Sequence, residues 1–231
     1  MTMKNKLAAY RPLLWLLAIP VLNVFYALLN HGKNGAGNLV TDLDNIIPFE
    51  AAFAVPYLLW YPFVFLMLVA IFLKNRKAYY QTLITLCAGL IVSYAIYAVF
   101  QTTVPRALVT GDGAFDSLVR FIYATDQPYN CFPSIHVLTS YLIIKGVSAS
   151  GNFGRFTRIA AGVFSWTIIA STLLIKQHVI LDAAGSIFLV ELLFPVFGLL
   201  TGIFARRRSE AASGLPGKMA LKSSASTKIS A

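Results

Sequence analysis

Charged residues are scarce in this chain. Asp, Glu, Lys and Arg make up 12% of its 231 residues, whereas 58% are hydrophobic. A soluble domain of this size carries about a quarter charged residues, so an ordinary water-exposed globule is excluded. Cysteine is nearly absent: Cys87 lies in an apolar run and Cys131 in a connection, which excludes a disulfide framework. Histidine is limited to His31, His136 and His178, so any imidazole chemistry must use these three. There is no internal repeat and no polar stretch that reads as a second, soluble domain.

What is abundant is apolar sequence in long runs: Leu13 to Leu29, Ala51 to Leu73, Leu83 to Phe100, Ile159 to Ile175 and Val179 to Phe204. Most approach or exceed the ~20 residues that cross ~30 Å of hydrocarbon. One such run could be a buried soluble core; five could not. A shorter run from Ser134 to Ser148 adds a sixth, and the connections between the six then alternate in charge. One set carries Lys4, Lys6 and Arg11, then Lys74, Arg76 and Lys77, then Lys145, Arg155 and Arg158, then Arg206 to Arg208. The other carries Asp42, Asp44, Glu50, Asp112, Asp116 and Asp126, with Lys33, Arg106, Arg120 and Lys176 as its cations. Cations accumulate in short cytoplasmic segments. The pattern predicts an all-α integral membrane bundle of six transmembrane helices with cytoplasmic N- and C-termini. Residues 1–208 form the single membrane domain, and 209–231 a disordered, basic cytoplasmic tail. The net charge of +10 is then an orientation signal, and no nucleic-acid partner is expected. The basic start and Leu13–Leu29 read as a first span, because no clear small-residue cleavage site follows. Short connections point to a bacterial inner membrane.

Tyr57, Trp60 and Tyr61 fall near the outer boundary, where amphipathic rings anchor. The longest connection, Gln101 to Pro133, contains Phe115, Leu118, Val119, Phe121, Ile122 and Tyr123; this content predicts a short helix lying on the membrane. A tight outer turn at Lys176–His178 joins the last two spans.

His178 and Asp182 are four residues apart, which stacks them on one helical face. Asp182 then lies about a turn below the outer boundary, where an ionisable residue signals function. A carboxylate on one imidazole nitrogen fixes the tautomer and frees the other as a nucleophile. His136 opens the fourth run, and parity puts it on the same face. Arg106 and Lys176 add cations suited to a phosphate, and the helix start at Ser134 adds backbone N–H groups. His31, in a glycine-rich loop, reads as a polar residue near headgroups. Two histidines and a carboxylate are also a donor set for zinc or iron. Adjacent cations would repel a metal and attract phosphate, so neither a metal nor a cofactor is expected.

Pro133-Ser134-Ile135-His136 and Ser171…His178-Val-Ile-Leu-Asp182 resemble the second and third motifs of the type 2 phosphatidic acid phosphatase superfamily. The similarity covers about residues 41–190. Thr172 stands where the third motif has arginine, Ile135 where the second has glycine, and Val99 and Ala107 where the first, aligned on Arg106, has lysine and proline. The missing lysine, Asp44 to Phe49, Pro56 to Pro62 and Lys176-Gln177-His178 are similar to the branch of inositol phosphorylceramide and sphingomyelin synthases. The resemblance implies a metal-independent enzyme. In it His178 attacks phosphorus with Asp182 orienting it, His136 is acid and base, and Arg106, Lys176 and Ser134 hold the phosphate. The implied substrate is a lipid phosphate or isoprenoid diphosphate. Water as acceptor makes a phosphatase, the reading preferred here; a lipid or polyol hydroxyl makes a phosphotransferase. A lipid transporter lined by Asp182 and Glu191 is the alternative outside enzymes.

Overall fold

The computed structural model describes residues 9–32 and 35–213. Expectations resting on Lys4, Lys6, Lys33 and residues 214–231 lie outside these. Eight helices follow in order: α1 Arg11–Leu29, α2 Asp42–Ile46, α3 Ala54–Lys74, α4 Arg76–Val99, α5 Ala114–Thr125, α6 Ile135–Ser150, α7 Arg155–Leu174 and α8 Ile180–Ser213. Strands β1 (Gly37–Asn38) and β2 (Thr102–Thr103) form one short parallel pair, which ties the connection after α1 to the connection after α4.

Five helices are long and apolar enough to cross a membrane: α1, the Ala51–Lys74 segment containing α3, α4, α7 and the Ile180–Ile203 part of α8. The sixth expected span, α6, has 16 residues, or about 24 Å of helix. α8 continues past the expected boundary, through residues 209–213.

Local sequence explains the breaks. Between α3 and α4 a single residue, Asn75, turns the chain; its side-chain oxygen accepts the amides of Lys77 and Ala78, which are orphan donors of a new helix. Asn75 Nδ2 also donates to the carbonyl of Ser150, so the corner is fixed to the end of α6. Gly151 ends α6 with φ of 68°, the left-handed conformation that glycine adopts without a Cβ penalty.

The short apolar helix α6 is the central one. α6 packs against α3, α4, α7 and α8, and Ile135, Val137, Leu138, Leu142, Ile143 and Val147 along it are buried. Its apolar residues therefore face protein on most sides, whereas Leu14, Leu17, Val21, Val24 and Leu28 of α1 remain exposed, as a lipid-facing helix requires. α5 is the helix expected in the long connection, but its apolar face turns to protein. Val119 and Ile122 pack with Ala54, Tyr57 and Ile175, so α5 caps the start of α3 and the end of α7.

Candidate active site

The turn Ile175–Val179, between α7 and α8, carries the site. It is closed by backbone bonds: the Thr172 carbonyl accepts the amides of both Gln177 and His178. Lys176 sits in the left-handed region at φ 55°, which is strained for a residue with a Cβ. Its ammonium donates to the carbonyls of Asp44 at 3.0 Å and Ile47 at 2.6 Å, holding the turn to the connection between α1 and α3. Asp44 completes the clasp. Its Oδ1 accepts the amide of Ile180, the first residue of α8, at 2.7 Å, and its Oδ2 accepts the amide and hydroxyl of Thr41. Burial alone would push the Asp44 carboxyl up; these amides, the Thr41 hydroxyl and Lys176 outweigh it and hold the group below its ordinary value.

His178 and Asp182 meet, but not on one helical face as expected: His178 lies in the turn two residues before α8, and Asp182 is in the first turn of that helix. Nδ1 of His178 lies 3.3 Å from Oδ2 of Asp182, and that oxygen also accepts the amide of Val179 at 3.0 Å. A carboxylate here suits the partial positive charge of the α8 N-terminus. With the Nδ1 proton directed at Asp182, the lone pair of His178 is on Nε2. Asp182 is fully buried, and its Oδ1 has no hydrogen-bond partner.

His136 enters from the first turn of α6, its ring centroid 5.8 Å from that of His178. Two aromatics of α3 pack on it: Tyr57 stacks at 4.4 Å between ring centroids, and Trp60 lies tilted against it at 4.1 Å. Trp60 is itself fixed by a 2.7 Å bond from its indole N–H to Thr139, one turn along α6. The expectation that Tyr57 and Trp60 serve as boundary anchors is thus replaced for Tyr57, which is buried, and both rings shape the histidine's niche.

Arg106, in the connection after β2, donates to the carbonyls of Tyr123 and Asp126 and to Oε1 of Gln177. Its plane lies over the Tyr123 ring. Burial lowers its pKa, with Asp126 opposing; a guanidinium remains charged under such conditions. Only its Nε–H is buried without a partner. Asp126 is a hub that the sequence did not single out. Oδ1 accepts the Tyr26 hydroxyl and the Asn30 amide from the α1 end, while Oδ2 accepts the hydroxyl of Tyr57. One carboxylate thereby links α1, the α5 cap and the ring stacked on His136.

A cavity of about 250 Å³ opens beside these groups. Arg106, Lys176 and His178 line it together with Val104, Leu173 and Val179. Three of the six expected site residues therefore share one cavity, and Asp182 stands behind His178. His136 does not line the cavity, and neither does Ser134. Ser134 caps α6: its Oγ accepts the amide of Val137, its own amide donates to the Asp182 carbonyl at 3.3 Å, and its carbonyl accepts the hydroxyl of Ser186. Gly185 lets α8 approach this loop, since a Cβ there would overlap the Phe132 ring. Thr172, at the position of the missing arginine, bonds back to the Ile169 carbonyl within α7. His31 stays in the connection after α1 and is partly buried.

A family model described as the PAP2 superfamily matches residues 43–196, more than half of the chain. The chain belongs to the PAP2 superfamily. No curated protein and no solved structure matches it. Membership of PAP2 gives the site a phosphatase or phosphotransferase type of chemistry on lipid phosphates, and the matched segment contains every residue of the cavity described above except Val40.

Proposed function

We propose that this protein is a lipid-phosphate phosphatase that works through a phosphohistidine and needs no metal. The observation that carries the reading is the position of His178, between a fully buried carboxylate and a cavity walled by Arg106 and Lys176. Nε2 of His178 attacks phosphorus as the bond to the leaving oxygen breaks, and His136 gives that oxygen a proton. Water then attacks the phosphohistidine, His136 takes its proton, and the P–N bond breaks to release phosphate. Developing negative charge on the phosphoryl oxygens is met by Arg106 and Lys176; such preorganised groups carry most of phosphoryl transfer. Ser134 acts by holding the first turn of α6, and so His136, in place. The substrate is an apolar-tailed phosphate or diphosphate.

The chain is placed with α6 as a sixth span, both termini cytoplasmic and the cavity on the extracytoplasmic face of a bacterial inner membrane. The charge alternation of its connections supports this orientation. Residues 1–208 act as the one membrane domain, with a basic tail after it.

The test is phosphate release by purified protein in detergent from a panel of lipid phosphates, with EDTA present and His178→Ala alongside. Release that survives EDTA and vanishes in the variant is expected. Transfer to an added alcohol without release to water would overturn the choice of acceptor in favour of a phosphotransferase, which the synthase-like Lys176-Gln177-His178 stretch would then explain. Release that EDTA abolishes would overturn the metal-free mechanism.

A further inference from the structure

Cys131 is a residue that the phosphoryl chemistry does not use, yet it lies against the centre of the site. Its Sγ, a nitrogen of His178 and an oxygen of Asp182 all lie within 4.8 Å of one another, and all three side chains are buried. The thiol is weakly engaged, 3.5 Å from the Pro128 carbonyl and 3.9 Å from that of Gln177. Asp182 adds an independent observation: Oδ1 is buried without any partner. An unpaired carboxylate oxygen in such a place is costly and is satisfied by a cation. The nearby cations do not fill this role. Lys176 is turned to the Asp44 and Ile47 carbonyls, and Arg106 to Tyr123, Asp126 and Gln177.

We propose that Cys131, His178 and Asp182 form a three-ligand inhibitory site for a thiophilic divalent cation of the zinc class. Sulfur, imidazole and carboxylate donors select zinc or cadmium over magnesium or calcium. Tetrahedral bonds of about 2.0–2.3 Å require the three donors to close by about 1 Å, leaving a fourth position for water. The cation enters through the cavity that His178 and Val179 line, since Val179 and Val104 pack directly on Cys131. Binding displaces the thiol proton to solvent. At Nε2 the cation occupies the nucleophilic lone pair; at Nδ1 it drives the remaining ring proton onto Nε2. Either way His178 cannot attack phosphorus. The donor set thus differs from the His/His/Asp set weighed in the sequence, with cysteine in place of His136.

The inhibitory half rests on the function proposed above; the binding half does not. Purified protein, stripped with EDTA and then freed of it, is titrated with Cd²⁺ while thiolate-to-cadmium absorption and bound metal per chain are measured. Zn²⁺ is then tested against phosphate release. One Cd²⁺ per chain with the thiolate band is expected in the wild type and in Cys87→Ser. Both Cys131→Ser and Cys131→Ala should weaken binding at least ~10-fold and lose the band. A band that persists in the Cys131 variants, or no band in the wild type, overturns the site. A band without loss of phosphate release in Zn²⁺ overturns inhibition. If no phosphate is released under any condition, the functional reading fails while the cadmium band still decides the site.

Discussion

Two carboxylates of helix α8, Asp182 and Glu191, meet opposite fates. Asp182, in its first turn, is fully buried, and one of its oxygens is left without a donor. Glu191 lies nine residues further along the same helix, a rise of about 14 Å. It is bonded by Lys145 at 2.9 Å through both oxygens and by the hydroxyl of Tyr141, with side-chain exposures of 30% for Lys145 and 45% for Glu191. The sequence left Glu191 without a motif partner; α6 provides two. The better-hidden acid is thus the worse satisfied. A fully partnered pair between two helices is a fastening, whereas an unsatisfied, buried acid beside an imidazole is kept ready for chemistry. Lys145 and Tyr141 thus give Glu191 partners of its own, apart from Asp182.

The comparison breaks most sharply on turnover. His178→Ala should lower phosphate release by about 10⁴-fold or more, and Asp182→Asn by about 10³–10⁴-fold through loss of the tautomer, both read as initial rates. Equal losses at Glu191→Gln would show that the two acids are not different in kind. Lys176→Ala should cost about 10²-fold in kcat, and Lys176→Arg should restore part of it. On the other side, Glu191→Gln should leave kcat within about 3-fold while lowering stability by about 1 kcal/mol, the scale of interhelical polar contacts in membranes. Lys145→Met should destabilise more than the Lys145→Met/Glu191→Leu double variant, because the single change strands a charge; thermal unfolding in detergent measures both. The smallest effect concerns Asp44. Its folded pKa lies below its ordinary value, so its contribution is complete above about pH 4 and is lost as pH falls through the folded pKa. Asp44→Asn should lower Tm by about 2–4 °C at pH 7, and the gap should close on acidification.

The His178/Asp182 pair was legible from its four-residue spacing, although the reason differs: His178 lies in the turn before α8 and only Asp182 is on the helix, while the counting of spans puts His136 at the same end. The charged Lys176 stood out in an apolar setting. Less legible was everything that depends on contacts between distant connections. Asp126 meets Tyr26 and Tyr57 across 100 and 69 residues, and no periodicity marks such a meeting. Tyr57 and Trp60, three residues apart, were readable as one face of α3, but not what that face meets: an aromatic near a membrane boundary serves headgroups and a buried histidine equally well. Cys131 gave no signal for the same reason, as its neighbours come from α8 and the turn before it. The shortness of α6 was visible, whereas its central place was not, because a run of apolar residues reads alike whether lipid or protein surrounds it.

The clasp between Asp44 and the amide of Ile180 joins residues 136 positions apart, and Ser134 likewise waits for the carbonyl of Asp182. In a chain made from its N-terminus, every ligand of the cavity except those on the final turn and α8 is in the membrane before the nucleophile arrives. On the proposed mechanism the site is therefore completed only by the last turn and α8, and a nascent chain holding only α1 to α7 would be chemically silent.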